Sequence, residues 1–151
     1  MQLCPTMPTL APVVLIATLA CSSSPARPDD VQRMDRVAAF IDALRQRGAT
    51  VVAMERIAPE SYCLSVGPRR LVVNGENVYA FEYDNAEGAS RDASTISSDG
   101  SVVTSGRACR IEWIGPPRFY RQDRLIALYV GTNQGLIDTL DGILGGPFAH
   151  R

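Results

Sequence analysis

The sequence predicts an α+β fold in which a mainly antiparallel sheet of about six to seven strands has helices packed on one face. Three observations lead to this fold class. Apolar residues recur every three or four positions in three segments, which is the spacing of a helix with one buried face. Short β-type runs lie between those segments, and Asn74-Gly75 separates two of the runs as in a two-residue hairpin.

The first predicted helix has about four turns and follows Asp29 or Asp30, either of which can accept hydrogen bonds from the first amides. Gly48 follows the last turn, a position where glycine commonly ends a helix. The apolar face of this helix consists of Val31, Met34, Val37, Ala38, Ile41 and Leu44.

Four β-type runs come next, and the last of them has a distinctive aromatic face. The runs cover 49–57, 62–66, 69–73 and 77–83. In the fourth run Tyr79, Phe81 and Tyr83 share one side, because successive side chains of a strand point to opposite faces. We expect this aromatic side to pack on a helix.

The second predicted helix follows an Asp84 or Asn85 cap and has a narrow stripe of small residues. We expect that stripe to allow close approach to the sheet. It consists of Ala86, Ala89, Ala93 and Ile96.

The remaining elements are three β-type segments and a final helix. The segments cover 101–104, 109–114 and 125–131, and a proline-containing loop over 115–120 separates the last two. The helix starts at a Thr132 or Asn133 cap and ends at Gly145-Gly146.

Composition and length indicate one folded domain behind an export signal. The chain has 151 residues, of which 46% are hydrophobic and 21% charged, with a net charge of −1, which disfavours disordered and nucleic-acid-binding classes. The apolar run 10–20 is shorter than the roughly 20 residues that a membrane-spanning helix needs. We therefore predict a signal peptide of the lipoprotein type at 1–20, a flexible tether at 21–29 and a single α+β domain at 30–151.

The end of the apolar run carries a recognisable motif. Thr18-Leu19-Ala20-Cys21 resembles the lipobox of bacterial lipoproteins. The resemblance implies that the signal is removed before Cys21 and that the Cys21 thiol carries a lipid, which anchors the protein to a membrane without spanning it. The alternatives are a signal cut elsewhere and a merely apolar N-terminus.

Several later segments resemble those of small exported bacterial lipoproteins that have no assigned activity. They include Asn74-Gly75-Glu76-Asn77-Val78, Ile96-Ser97-Ser98-Asp99-Gly100 and Trp113-Ile114-Gly115-Pro116-Pro117-Arg118-Phe119-Tyr120. The resemblance covers roughly residues 35–149 and implies export to the bacterial cell membrane or outer membrane, facing the periplasm or the exterior. It implies no catalytic residues.

Two cysteines remain once Cys4 and Cys21 are assigned to the signal and the lipid. In an oxidising compartment Cys63 and Cys109 are candidates for a disulfide, which would stabilise the fold by about 4 kcal/mol on the chain-entropy estimate. The alternative is two buried free thiols. A zinc site is disfavoured because His150 is the only histidine.

The predicted ligand-binding residues lie around Pro116, where arginines alternate with aromatic residues. Guanidinium groups match carboxylate and phosphate oxygens, so an anionic ligand or an envelope protein is the expected partner. The alternative is a solvated arginine face with aromatic residues used for packing. The candidates are Arg110, Trp113, Arg118, Phe119, Tyr120 and Arg121, with Arg107 and Arg124 nearby.

No catalytic residue, metal site or cofactor is predicted. Serine or cysteine catalysis needs a nearby base, and the usual histidine is missing from the body of the domain. The carboxylate pairs Glu82 with Asp84 and Asp138 with Asp141 could in principle do acid–base work, but the second pair is ordinary for the exposed face of a helix. The run 84–88 does not match the spacing of a calcium loop.

The sequence therefore predicts a lipid-anchored envelope protein that acts as a binding or structural module. The alternatives are a small envelope enzyme, and a sensor or inhibitor that uses the loop from Trp113 to Tyr120. These alternatives differ in what a cleft would contain, since an enzyme needs converging titratable side chains and a binding module needs an exposed apolar or basic surface.

Overall fold

The computed structural model of the protein describes residues 35–104 and 109–151. Within those ranges the helices are α1 (Arg36–Gln46), α2 (Ala86–Ser94) and α3 (Gln134–Leu144), and Pro59–Ser61 forms a short 3₁₀ turn. The strands are β1 (Val51–Arg56), β2 (Arg69–Val73), β3 (Glu76–Glu82), β4 (Val102–Val103), β5 (Cys109–Arg110), β6 (Pro117–Gln122), β7 (Leu125–Val130) and β8 (Ala149–His150).

Six of these strands form one antiparallel sheet in the order β1-β2-β3-β7-β6-β8. The remaining two, β4 and β5, form a small antiparallel arm. The predicted α+β class with a mainly antiparallel sheet is confirmed.

The β2–β3 hairpin forms at Asn74-Gly75, as predicted. Val73 pairs with Glu76, and both turn residues have positive φ, 51° for Asn74 and 86° for Gly75, which is typical of the turn whose twist matches two-residue hairpins. The Asn74 side chain also accepts a 2.8 Å hydrogen bond from the amide of Thr50, which ties the hairpin to the start of β1.

Each helix begins at a polar cap whose side chain accepts an amide hydrogen bond from three residues ahead. The caps are Asp35, Asn85 and Asn133, with distances of 3.1, 2.8 and 3.2 Å. Of the predicted alternatives, Asn85 rather than Asp84 caps α2, and Asn133 rather than Thr132 caps α3. Helix α1 starts later than predicted because Asp35 is its cap, and the proposed caps Asp29 and Asp30 lie outside the described residues.

Helices α1 and α3 cover one face of the sheet, which we call the helical face. Leu44 from α1 and Leu140 from α3 are fully buried there, and the Arg47 guanidinium donates a 2.9 Å hydrogen bond to the Gly142 carbonyl between the two helices. The sheet contributes Val51, Leu71, Val73, Val78, Ala80, Tyr120, Leu125, Ala127 and Tyr129 to this core.

The opposite face, which we call the arm face, is covered by α2, the segment 57–68 and the β4–β5 arm. Ala89 and Ala93 of α2 pack with Phe81 and Tyr83, so the aromatic side of β3 lies on a helix as predicted. The expectation that helices pack on one face holds for α1 and α3, whereas α2 lies on the other. Its small-residue stripe matches the aromatic side of β3, which faces away from α1.

Three predicted boundaries are corrected. The run 62–66 is irregular rather than a strand, and the segment 109–114 is a strand only at Cys109–Arg110. The predicted loop 115–120 is instead largely strand β6, which pairs with both β7 and β8. Pro117 is its first residue, a position where a strand tolerates proline because the missing amide breaks little of the ladder.

The predicted signal peptide, Cys21 and the tether lie outside the described residues and stay predictions. No helix within 35–104 or 109–151 is long and apolar enough to cross a membrane.

Candidate functional site

A disulfide joins the two segments that lie over the arm face. Cys63 in the segment 57–68 is bonded to Cys109 at the start of β5, with their Cα atoms 6.3 Å apart. The predicted pairing is confirmed. The bond holds Tyr62, next to one cysteine, near the chain that leads from the other cysteine to Trp113.

A buried carboxylate fixes the same segment to α2 and β3. Asp92, only 4% exposed, accepts hydrogen bonds from the amide and the hydroxyl of Ser65 at 2.7 Å each and from the Tyr83 hydroxyl at 2.9 Å. Burial raises the pKa of Tyr83, and the Asp92 charge raises it further. Tyr83 therefore stays protonated and keeps donating to Asp92.

A tight turn orients the indole of Trp113. The Gly100 carbonyl accepts a 2.7 Å hydrogen bond from the indole Nε1, and Gly100 has φ of +71° with the Phe119 ring close to where a Cβ would lie. Asp99 braces this turn by accepting hydrogen bonds from the Ser97 hydroxyl and from the amide and hydroxyl of Ser101. These hydrogen bonds, led by that from Ser97, lower the pKa of Asp99 to about 2.

These supports enclose a cleft of about 330 Å³ between the sheet and the arm, which we call the aromatic cleft. Its volume lies at the lower end of the usual range for small-molecule sites, roughly 300–1,000 Å³. It is lined by Tyr62, Glu76, Asn77, Tyr79, Ile111, Glu112, Trp113, Ile114 and Val130.

Three aromatic rings from three different segments define the aromatic cleft. The Tyr62 ring centroid lies 5.1 Å from that of Tyr79 and 6.5 Å from that of Trp113, with interplanar angles of 46° and 25°. Tyr79 and Val130 belong to the sheet, and Ile114 at the rim of the arm is fully exposed. Burial raises the pKa of Tyr62, with a further contribution from Tyr79, so its phenol remains neutral.

The lining includes two acidic residues. These are Glu76 and Glu112, and none of the described lining residues is basic. Arg70 lies opposite Tyr79 on β2, where its guanidinium donates to Glu55 at 3.2 Å. Glu112 lies on the arm side of the aromatic cleft, whereas alternation along β3 places the Glu76 side chain with that of its buried partner Val73, on the helical face.

The structure divides the predicted ligand-binding residues between the two faces of the sheet. Trp113 and Phe119 meet on the arm face with ring centroids 6.0 Å apart, but Phe119 is buried. On the same face Arg121 donates to the Ser90 hydroxyl at 2.5 Å, and Arg110 is exposed on β5.

Arg118 and Tyr120 point to the helical face instead. Tyr120 belongs to the core of that face, and alternation along β6 places Arg118 on the same side. Burial raises the pKa of Tyr120, and the Asp141 carboxylate on α3 adds to the rise. Arg110, Arg118 and Tyr120 therefore do not converge on one surface, and Arg107 lies outside the described residues.

The predicted carboxylate pairs have separate surroundings. Glu82 forms an ion pair with Arg124 at 3.4 Å and accepts the Arg36 amide at 2.7 Å, in a charged cavity of about 310 Å³ that Asp84 also lines. Asp138 accepts a 2.7 Å hydrogen bond from the Gln134 side chain on the exposed side of α3. Within the described ranges, no group of three potential ligands among His, Cys, Asp and Glu could hold a metal ion.

In comparisons with protein-family models, curated proteins and solved structures, no match to this chain was found. The function must therefore be argued from the side chains themselves. Sequence reasoning named Trp113 but missed Tyr62, Tyr79, Glu76 and Glu112. The predicted disulfide could have pointed to Tyr62 as a site residue, because pairing Cys63 with Cys109 brings Tyr62 to the segment that carries Trp113.

Proposed function

We propose that the protein is a lipid-anchored binding module of the bacterial cell envelope whose ligand occupies the aromatic cleft. The observation that carries this proposal is the meeting of Tyr62, Tyr79 and Trp113 in one open cleft. Ligand sites are concave, mostly apolar and lined by a few placed polar groups, and the aromatic cleft fits that description.

The way the aromatic cleft is held supports binding. The disulfide fixes the Tyr62 segment, Asp92 holds Ser65 of the same segment, and the Gly100 carbonyl fixes the indole of Trp113. Walls held in place before a ligand arrives lose less conformational freedom on binding.

The chemistry of the lining favours binding over catalysis. The described lining residues include no serine, cysteine or histidine, so they offer neither the usual nucleophiles nor the usual base. Glu112 on the arm is suited to orienting a ligand by charge and hydrogen bonds.

The anchoring part of the proposal rests on Cys21 and the lipobox-like residues before it. In cells given a labelled fatty acid, the wild-type protein is expected to incorporate the label and the Cys21→Ala variant is not. Equal labelling of the two proteins would overturn the lipid anchor and leave the binding role of the cleft to be judged separately.

The binding part is tested through Trp113, the only tryptophan of the chain, whose emission reports on the aromatic cleft. The panel is choline, a chitin oligosaccharide, acetate and a short lysine peptide. At least one member is expected to cause a saturable change that is abolished by Tyr79→Ala and kept in Val52→Ala. Val52 is an exposed apolar residue of β1 outside the cleft. No saturable change with any member would overturn the proposal.

The predicted anionic ligand stays a prediction for the arginines outside the aromatic cleft. Arg110 and Arg121 belong to the arm face, and Arg118 belongs to the helical face. An anion is poorly suited to the cleft itself, because Glu112 on the arm would repel it.

A further inference from the structure

Resting on the proposed binding role of the aromatic cleft, we infer that its ligand is an uncharged saccharide, held by a pyranose ring that stacks on the aromatic side chains. The juxtaposition that carries this inference is Tyr79 and Asn77 on one face of β3, with the indole of Trp113 lining the same cleft from the arm. A pyranose has a face of C–H groups that packs on aromatic carbon and a rim of hydroxyls that needs donors and acceptors. The aromatic cleft offers both kinds of surface.

The aromatic rings supply the platform for the C–H face. Trp113 already donates its indole N–H to the Gly100 carbonyl at 2.7 Å, so what it offers a ligand is ring surface rather than a hydrogen bond. The planes of Tyr62 and Trp113 are only 25° apart, and both rings, like that of Tyr79, are partly buried and partly open. Large, rigid rings lose little conformational freedom when a flat apolar surface packs on them.

The polar groups of the cleft are of the kind that hydroxyls need. Asn77 is exposed and shares its side of β3 with Tyr79, because residues two apart in a strand point the same way. Its side-chain amide has no hydrogen-bond partner among the described residues, and an amide can both donate and accept. Burial and the neighbouring Tyr79 raise the pKa of Tyr62, so its phenol stays neutral and has the same dual capacity. These groups complement a sugar hydroxyl, which also donates and accepts.

The surroundings disfavour a charged ligand of either sign. Arg70 lies opposite Tyr79 across the β2–β3 ladder and its charge acts on Tyr62, so a cation in the cleft would be repelled. An anion would meet the Glu112 carboxylate on the arm. Glu76 lines the cleft without aiming its carboxylate into it, because alternation along β3 places that side chain on the helical face. An uncharged ligand avoids both repulsions.

The size and openness of the cleft suit a short stretch of saccharide. Its volume of about 330 Å³ is that of a small-ligand site. Ile114 at the rim is fully exposed, so the cleft opens to solvent and a longer saccharide can extend out of it. A free saccharide and a polymer of the envelope share this chemistry, and the experiment separates the two sources.

The test uses trisaccharides with the same β-linked backbone and different charge. Cellotriose and the trimer of N-acetylglucosamine are uncharged, whereas the chitosan trimer carries ammonium groups at mildly acidic pH. Each is titrated into the full chain at that pH and constant ionic strength, while the emission of Trp113 and its quenching by acrylamide are recorded. At least one uncharged trisaccharide is expected to shield the indole and to bind at least about threefold more tightly than the chitosan trimer. Sorbitol, which has hydroxyls but no ring, is expected to cause no change.

Variants separate stacking from hydrogen bonding. Tyr79→Phe keeps the ring and is expected to weaken saccharide binding by about threefold, whereas Tyr79→Ala removes the ring and is expected to weaken it by at least about tenfold. Asn77→Ala is expected to weaken it by about threefold to tenfold. The matched controls are Phe148→Ala, at an exposed ring outside the cleft, and Gln134→Ala, at an exposed amide of α3, and both should bind as the wild type does. Equal unfolding midpoints establish that the fold is intact.

Co-sedimentation with insoluble peptidoglycan, whose strands have β-linked pyranose rings, identifies the source of the saccharide. If the wild-type protein pellets and Tyr79→Ala does not, the inference is supported and the ligand is assigned to a polymer. If an uncharged trisaccharide binds and the protein stays in solution, the inference is supported and the ligand is assigned to a free saccharide.

The outcomes distinguish this inference from the proposed function. If choline, acetate or the lysine peptide causes a saturable change and neither uncharged trisaccharide does, the saccharide is overturned and the cleft remains a binding site. A chitosan trimer that binds as tightly as the uncharged trisaccharides would overturn the uncharged ligand. Equal losses in Phe148→Ala and Tyr79→Ala would overturn stacking in the cleft. No response to any probe would overturn both the inference and the proposed function.

Discussion

The two faces of the sheet are built in different ways. On the helical face, α1 and α3 bury apolar side chains such as Leu44 and Leu140 completely. On the arm face, the cover consists of the nine-residue helix α2, an irregular segment and a two-stranded arm. A disulfide and the buried carboxylate of Asp92 hold this cover together, and the aromatic cleft opens at its edge.

This difference suggests that the helical face mainly provides stability and that the arm face also provides the ligand site. The 11-residue helices α1 and α3 bury their apolar stripes in the core of the helical face, and the cavity of about 310 Å³ beside Glu82 is lined mainly by charged residues. Short irregular segments bury less apolar area and need cross-links to stay in place, but their edges leave concave surface. We therefore expect changes on the helical face to alter stability alone and changes on the arm face to alter ligand binding as well.

The largest expected effect comes from removing the disulfide with Cys63→Ser and Cys109→Ser together. Opening a link across 46 residues is expected to lower the free energy of unfolding by about 4 kcal/mol on the chain-entropy estimate. The change in Trp113 emission on addition of ligand should become weaker as well. Urea unfolding measures the first effect, and wild-type protein treated with dithiothreitol is the control. Unchanged ligand affinity in the double variant would contradict the idea that the bond shapes the cleft.

On the helical face, Leu44→Ala is expected to lower the free energy of unfolding by about 3 kcal/mol, because it leaves a cavity in a fully buried core. Ligand affinity measured through Trp113 should stay the same. The control Val52→Ala, at a side chain that is 52% exposed, should change stability by less than about 0.5 kcal/mol. A large loss of affinity in Leu44→Ala would show that the two faces are coupled.

A smaller effect is expected from Asp92→Ala, which leaves the amide and hydroxyl of Ser65 and the hydroxyl of Tyr83 without their acceptor. The loss should be about 2 kcal/mol in denaturant unfolding, with weaker ligand binding because Ser65 belongs to the Tyr62 segment. Asp138→Ala, which removes an exposed carboxylate of α3, is the control. If Asp92→Ala binds ligand with wild-type affinity, the hydrogen bonds of Asp92 do not shape the aromatic cleft.

The smallest expected effect is a response of Trp113 to acid. The pKa of Asp99 is lowered to about 2 from its ordinary 3.8, so its contribution to the turn is complete above the ordinary value and is lost as pH falls through about 2. A titration of Trp113 emission should show this step, and Asp99→Asn should remove it. A step that persists in Asp99→Asn would assign it to another group.

Much of the fold was predictable because its signals are local. The Asn74-Gly75 hairpin, the caps Asn85 and Asn133, and the aromatic side of β3 each depend on a few neighbouring residues. Cys63 and Cys109 were predictable by elimination. The single-face placement of the helices was only partly correct, since nothing local distinguishes the side of the sheet that α2 covers.

The rest depends on contacts between distant residues. Strand β6 has a proline at its start and a mixed polar pattern, and only its pairing with β7 and β8 makes it a strand. For the same reason Arg118 and Phe119 read as one patch in sequence but lie on opposite faces. The aromatic cleft combines Tyr62, Tyr79 and Trp113, and their approach follows from tertiary structure rather than from spacing.

The order of strands has a consequence for how the chain reaches its native state. In the six-stranded sheet, the hairpins β2–β3 and β6–β7 join along one seam between β3 and β7, where Ala80 pairs with Ala127. Hairpins between neighbouring strands form in microseconds, whereas pairing across a long loop must first overcome the entropy of closing it. We therefore expect the folding rate to be governed by the meeting of the two hairpins rather than by the formation of either one.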